Sequence, residues 1–75
     1  MRSDVALVTA DCHIIECRNR VAHQIKRIRA MERHGADTRL ARKLLDTMRQ
    51  SLACHERYRE GILDLLARDG PTIHA

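Results

Sequence analysis

Seventy-five residues allow one domain at most, and helix-forming residue types dominate them, with one Pro, three Gly and a single aromatic residue, Tyr58. This composition excludes all-β folds, which need β-branched and aromatic strands with frequent turn residues. Fourteen basic and ten acidic side chains give a formal net charge of +4, and the basic residues are spread over both halves of the chain rather than collected in one block.

The first predicted helix runs from about residue 4 to residue 33, a stretch that neither Gly nor Pro interrupts. Ser3 is the expected N-cap, and Asp4 places negative charge at the positive end of the helix dipole. Positions spaced alternately three and four apart form an apolar stripe, the first seam. Its members are Leu7, Ala10, Ile14, Cys17, Val21, Gln24, Ile28 and Met31.

Gln24 is the polar member of this seam. A buried amide costs stability unless it is paired, and in coiled coils such residues fix the register or the oligomeric state. Two interpretations remain open: in a symmetric dimer Gln24 meets its own copy or His55, or it lies at the edge of the stripe and reaches water.

Residues 34–37 form the predicted turn between two helices. Gly35 stands where the end of a helix calls for a residue in the left-handed conformation. Asp37 or Thr38 then caps the second helix almost at once. Because so short a link leaves no room for a crossover, the two helices must be antiparallel neighbours.

The second predicted helix runs from about residue 38 to residue 69, where Gly70 and Pro71 end it and leave a frayed tail over residues 70–75. It carries a second seam of the same spacing, with partner positions whose numbers sum to about 72 when the chain folds at the turn. The sequence therefore predicts a single all-α domain over residues 1–75, an antiparallel two-helix hairpin. The second seam consists of Ala41, Leu45, Met48, Leu52, His55, Arg59, Ile62 and Leu66.

A weaker apolar stripe beside each seam predicts that two hairpins dimerise into a four-helix bundle. One hairpin buries a single stripe per helix, which is little for a chain of this length, and a second hairpin would cover the faces left wet. The alternative is that the extra stripe only shields the edges of one hairpin. The expected interface residues are Ile15, Ala22, Ile25, Leu44, Ser51, Tyr58 and Leu65.

Several segments between residues 13 and 63 carry a resemblance. They are His13-Ile14, Glu16, Arg20, Ala22 and Gln24, then Glu32-Arg33-x-Gly35-x-Asp37-Thr38, then Ala41-Arg42-x-Leu44-Leu45, Ser51-Leu52, His55, Arg59 and Ile62-Leu63. The pattern resembles a group of small, uncharacterised bacterial proteins with a Gly-x-Asp-Thr turn between two long charged helices. The resemblance implies the hairpin and supplies no activity. Cys17 departs from the pattern, since Gly or Ala is more usual there, so cysteine chemistry is not implied as a family property.

His13, Cys17 and His55 are the candidate metal ligands. His13 and Cys17 are four residues apart on one helix face, and the predicted register places His55 opposite Cys17. A thiolate and two imidazoles suit a borderline metal such as zinc, with Glu16 or a second subunit supplying a fourth ligand. The favoured alternative makes Cys17 a small buried apolar residue and His55 a hydrogen-bonded core group, with no metal or other cofactor.

The sequence predicts neither an enzyme nor a membrane protein. It has no catalytic triad pattern, no Gly-rich phosphate loop and no zincin motif. No apolar run reaches transmembrane length, and no secretory segment is expected at the start. Because Cys12, Cys17 and Cys54 are odd in number and at no metal-knuckle spacing, the simplest interpretation is three free thiols in a reducing cytoplasm.

These observations predict a cytoplasmic, non-enzymatic helical-hairpin module for self-association and protein–protein interaction, most simply a homodimer. The alternative is a small basic nucleic-acid-binding or regulatory protein, which is disfavoured because aromatic stacking platforms are absent and acidic residues interrupt the basic stripe. A metal-binding hairpin is the third possibility. The nucleic-acid alternative would use Arg27, Arg29, Arg33, Arg39 and Lys43 around the turn.

Overall fold

Two long antiparallel helices, packed side by side, make up the described part of the chain. The structure is a computed structural model that describes the backbone of residues 2–69 and the side chains of residues 5–68. Helix α1 spans Arg2–Arg33 and helix α2 spans Arg39–Asp69, with no strand in residues 2–69. Helices of 32 and 31 residues packed side by side make a rod about 48 Å long and two helices wide. The predicted all-α hairpin is confirmed.

The helix ends differ slightly from the predicted ones. Helix α1 begins at Arg2, before the predicted start, so Ser3 lies inside the helix rather than at its N-cap. Helix α2 begins at Arg39, one position after the predicted start, which leaves Thr38 as the residue preceding the helix. The predicted stop at Gly70-Pro71 and the tail over residues 70–75 lie outside the described residues.

The core is a single layer of side chains between the two helices. Every residue of the two seams is at least partly buried. However, no large side chain among the described residues is completely buried. The hairpin therefore has a continuous but thin core, as expected when each helix contributes one stripe. The most buried side chains are those of Ala10, Ile14, Cys17, Gln24, Ile28, Leu45 and Ile62.

Three ion pairs between the helices mark their register. Arg59 Nε lies 2.5 Å from Asp11 Oδ1, and Arg18 Nη2 lies 3.3 Å from Glu56 Oε2. Nearer the turn, Arg42 binds Glu32. The residue numbers of these pairs sum to between 70 and 74, close to the predicted 72. Because the pairs are substantially exposed, each contributes at most about 1 kcal/mol and serves the register more than the stability.

Gly35 ends α1 in the left-handed conformation, with φ at +70°. The Ala36 N–H donates to the Met31 carbonyl oxygen at 2.9 Å, and the Gly35 N–H donates to the Glu32 carbonyl oxygen at 3.1 Å. These two bonds constitute a Schellman motif, which satisfies carbonyls that the last helical turn would otherwise leave without donors.

The start of α2 is organised by Asp37 rather than by the Thr38 hydroxyl. Asp37 Oδ1 accepts a hydrogen bond from the Arg39 backbone N–H at 3.0 Å, and the Arg39 guanidinium contacts both carboxylate oxygens. The hydrogen bonds from the Arg39 side chain, and then from its backbone, hold the pKa of Asp37 below its ordinary value. Thr38 instead uses its hydroxyl oxygen to accept a bond from Arg42 Nε at 3.0 Å.

Gly35→Val is expected to reduce the free energy of unfolding by about 1 kcal/mol or more, because a β-branched residue is strained at positive φ. The melting temperature should fall accordingly. No heavy atom lies within 4 Å of the position that a Cβ would take, so the cost would come from the backbone and not from a clash. Gly35→Asn is the matched control, since Asn tolerates the left-handed region. An unchanged melting temperature for the Val variant would contradict this account of the turn.

Candidate interaction surface

The hairpin has two broad faces, one on each side of the seams. The ion-pair face contains the three ion pairs between the helices and a groove lined by Asp11, Ile15, Arg18 and Glu56. The α2 face is formed by residues of α2 at alternating spacings of four and three. Residues two positions apart on a helix point about 200° apart, so that Glu56 and Tyr58 necessarily lie on opposite faces. The α2 face consists of Leu40, Leu44, Thr47, Ser51, Cys54, Tyr58, Gly61 and Leu65, all of them exposed.

Large apolar side chains on the α2 face are open to solvent. Leu40 is 80 % exposed and Tyr58 is 62 % exposed, and Leu44 and Leu65 are also in the exposed class. Two shallow grooves run along this face beside α1. One is lined by Gln24 and Arg27 together with Leu40, Leu44 and Thr47, and the other by His13 and His55 together with Cys54 and Tyr58. The large apolar side chains thus form two exposed groups, one near each end of α2, with smaller side chains between them, and exposed apolar patches are typical of interaction surfaces.

The seven predicted interface residues are divided between the two faces. Leu44, Ser51, Tyr58 and Leu65 share the α2 face. Ile15 lies beside Arg18 in the groove of the ion-pair face and is 57 % exposed. Ala22 and Ile25 follow Ile15 and Arg18 by seven residues, so they lie on the ion-pair face as well. One flat partner surface therefore cannot cover all seven, and the residues of α2 form the more continuous set.

The charges separate along the long axis of the hairpin. The hinge half, residues 18–53, has ten basic and three acidic side chains, a net charge of +7. The open end, residues 5–17 and 54–68, has three basic and five acidic side chains, a net charge of −2. The hinge half is one continuous segment, so its charge can be counted from the sequence. Folding at the turn brings the two flanking segments together as the open end of the rod.

The three candidate metal ligands do not converge. The rings of His13 and His55 face each other with centroids 5.2 Å apart. Cys17 is buried one helical turn away from this pair and lines a small recess with Arg20, Met48 and Ser51. The contact of His55 is therefore with His13, one helical turn from Cys17, which was the predicted partner. Within the described residues, no group of three or more His, Cys, Asp or Glu side chains is arranged to hold a metal ion.

Gln24 is buried, so the interpretation in which it reaches water is wrong, and within the hairpin its partner is a backbone carbonyl of α2 rather than His55. Its side chain is among the least exposed of the described residues. Gln24 Nε2 donates a hydrogen bond to the Ala41 carbonyl oxygen at 2.9 Å. This bond joins the side chain of one helix to the backbone of the other close to the turn, so it favours one placement of α2 along α1.

Neither α1 nor α2, over its described residues, combines the length and apolar character that crossing a membrane requires. No protein-family model, curated protein or solved structure matches the chain. The resemblance to small bacterial hairpin proteins therefore stays a prediction.

Proposed function

We propose that this chain is a non-enzymatic interaction module that self-associates through its α2 face. The observation that carries the proposal is the line of exposed apolar side chains on one helix, which includes Leu40, Leu44, Tyr58 and Leu65. Covering these side chains would remove apolar surface from water, which is the main favourable free energy of most protein association.

The thin core of one hairpin is the second support for self-association. Each helix contributes one stripe to a single layer of buried side chains, and large apolar side chains of the α2 face remain exposed beside it. Two hairpins packed together would form a four-helix bundle with a core thicker than either has alone.

The ion-pair face is the less suitable of the two for association. Its charged side chains form Asp11–Arg59, Arg18–Glu56 and Glu32–Arg42 pairs. Burying such pairs costs desolvation energy that their mutual attraction need not return. The α2 face carries no comparable charge, so a partner helix can cover it at lower cost. We further propose a reducing, cytoplasmic location for this module, because the chain has free thiols at Cys12 and Cys54 that are exposed.

Leu44→Glu tests the proposal, with Ile15→Glu as the matched control on the opposite face. Sedimentation of the wild-type chain at tens of micromolar is expected to give twice the chain mass. Leu44→Glu should give a monomer with a lower melting temperature, because a charge placed in an apolar contact is desolvated at a cost of several kcal/mol. Ile15→Glu should remain a dimer.

A stable wild-type monomer at these concentrations would overturn the proposal. A dimer that Ile15→Glu dissociates and Leu44→Glu leaves intact would move the contact to the ion-pair face and contradict the assignment made here.

The basic hinge half supports a second candidate, the binding of a polyanion such as nucleic acid. Its net charge of +7 is concentrated at one end of the rod. Against this, Arg39 and Arg42 are engaged by Asp37 and Glu32, and Tyr58 lies in the open end, away from the basic residues. Salt separates the two candidates: counterion release makes polyanion binding fall steeply with salt, whereas an apolar dimer contact changes little.

A further inference from the structure

We propose that two copies of this chain pack α2 against α2 in antiparallel order, so that the hinge of each lies beside the open end of the other. This inference rests on the proposed self-association and specifies its geometry. The occupant of the α2 face is thus a second copy of the same helix, related by a two-fold axis that passes between Ser51 and Cys54.

The side chains of the α2 face are complementary in size when two copies of the helix pack antiparallel. Two small side chains meet at the centre, a large side chain meets a smaller one in the pairs on either side of it, and leucines meet at the two ends. The antiparallel pairs are Leu40 with Leu65, Leu44 with Gly61, Thr47 with Tyr58, and Ser51 with Cys54 of the second copy.

Gly61 supports this pairing independently. A glycine in the interior of a helix costs about 1 kcal/mol relative to alanine, so a packing reason is expected. Within the hairpin there is none, since no heavy atom lies within 4 Å of the position that a Cβ would take. In the antiparallel pair, the Leu44 side chain of the second copy would occupy this open position.

The polar edge of the α2 face is also complementary in charge to the same edge of a second copy packed antiparallel to it. Lys43, Gln50, Arg57 and Asp64 each precede a residue of the face by one position and are exposed. Antiparallel packing sets Lys43 beside Asp64 of the second copy and Gln50 beside Arg57. In parallel packing the two-fold axis runs along the helices and places this edge of one copy on the opposite flank of the contact from the same edge of the other, so neither Lys43–Asp64 nor Gln50–Arg57 pairs can form. Charges at such edge positions determine the orientation of paired helices.

The charge of the two halves favours the same orientation. In the antiparallel dimer, a hinge half of net charge +7 lies along an open end of net charge −2. In the parallel dimer, the two hinge halves would lie side by side and repel each other. Complementary potentials of this kind select orientation more than they add affinity.

Disulfide trapping in a Cys12→Ser background tests the orientation. Ser51→Cys places a thiol opposite Cys54 of the second copy, and mild oxidation is expected to give a covalent dimer in which peptide mapping joins position 51 to Cys54. Without Ser51→Cys, little cross-linking is expected. The two copies of Cys54 are then staggered by about 4.5 Å along the helix axis in addition to their lateral separation, which exceeds disulfide reach.

Parallel packing gives the opposite result, since Cys54 would meet Cys54 and cross-link without any substitution. That outcome, or a dimer in which Ser51→Cys fails to cross-link to Cys54, would overturn the orientation and leave the proposed self-association standing. A monomer in sedimentation would overturn both.

A charge exchange provides a second test that needs no thiol. Lys43→Glu should weaken the dimer about three- to tenfold, because it sets two acidic side chains together at each end of the contact. Lys43→Glu combined with Asp64→Lys should restore the affinity to within about twofold. Failure of the combined variant to recover would contradict the antiparallel contact.

Discussion

Ile28→Ala is expected to destabilise the hairpin by about 2–4 kcal/mol, enough to unfold a large fraction of so small a domain. Ile28 is 5 % exposed and belongs to the first seam, close to the turn. The truncation removes buried carbons and leaves a cavity in a core only one layer thick. Because both helices are long and pack along their whole seams, neither can move locally to fill such a cavity without disturbing the seam residues on either side of it.

Ile15→Ala is the matched control, because it makes the same substitution in the same helix at a side chain that is 57 % exposed. Its cost should stay within about 0.5 kcal/mol, and the higher helix propensity of alanine offsets part of it. Urea unfolding followed by circular dichroism, at one fixed protein concentration, measures both variants. Equal shifts of the two midpoints would contradict the assignment of Ile28 to the core.

The fold was predictable because its determinants are local in the sequence. The alternating spacing of Ile14, Cys17, Val21 and their neighbours specifies one buried face per helix, and every seam position is at least partly buried in the structure. The turn was equally accessible, because only a residue such as Gly35 adopts positive φ without strain, and its φ is +70°.

The partner of His55 could not be predicted from the same pattern. The ion pairs keep residue numbers that sum to about 72, as predicted. A seam side chain nevertheless lies between residues of the facing helix that are one turn apart, so the register alone does not decide which of them it contacts. In the structure His55 faces His13, with ring centroids 5.2 Å apart, and Cys17 lies by Met48.

The candidate interface could be predicted only in part, because the sequence does not show on which side of the hairpin a residue lies. A flanking apolar stripe can lie on either side of its seam, and the side becomes clear only when both helices are placed. The ion pairs place Ile15 with Arg18 and Glu56, whereas Leu44 and Tyr58 lie on the other face. The excess of basic residues over 18–53 can be counted in the sequence, but its position at one end of a rod follows only when the chain is folded at Gly35.

Gln24 connects the register of the hairpin to its interaction surface. Its buried amide binds the Ala41 carbonyl oxygen, and it lines the groove of the α2 face that Leu40 and Leu44 also line. A residue that fixes the position of α2 on α1 thereby also fixes how Leu44 is presented to a partner. A substitution at Gln24 is therefore expected to affect both stability and association.

Gln24→Glu is expected to destabilise the hairpin by several kcal/mol at pH 7, because it replaces a donor by a buried carboxylate that faces the Ala41 carbonyl oxygen. Burial should raise the pKa of the introduced carboxyl above its unfolded value of about 4.3. The protonated acid donates to Ala41 again, so the loss should be smallest near or below that value and should grow as the pH rises through the higher folded pKa. Unfolding midpoints between pH 4 and pH 8, taken relative to wild type, measure this dependence.

Gln24→Leu separates the charge from the loss of the hydrogen bond. Leucine has nearly the same volume, and the Ala41 carbonyl still accepts its bond within α2, so this variant should be neutral or more stable than wild type. If Gln24 serves mainly to fix the register, the Leu variant should keep its stability and lose specificity, which sedimentation would detect as a mixture of oligomers. A pH-independent loss for Gln24→Glu, equal to the loss for Gln24→Leu, would show that the amide lies in contact with water and would contradict its burial against Ala41.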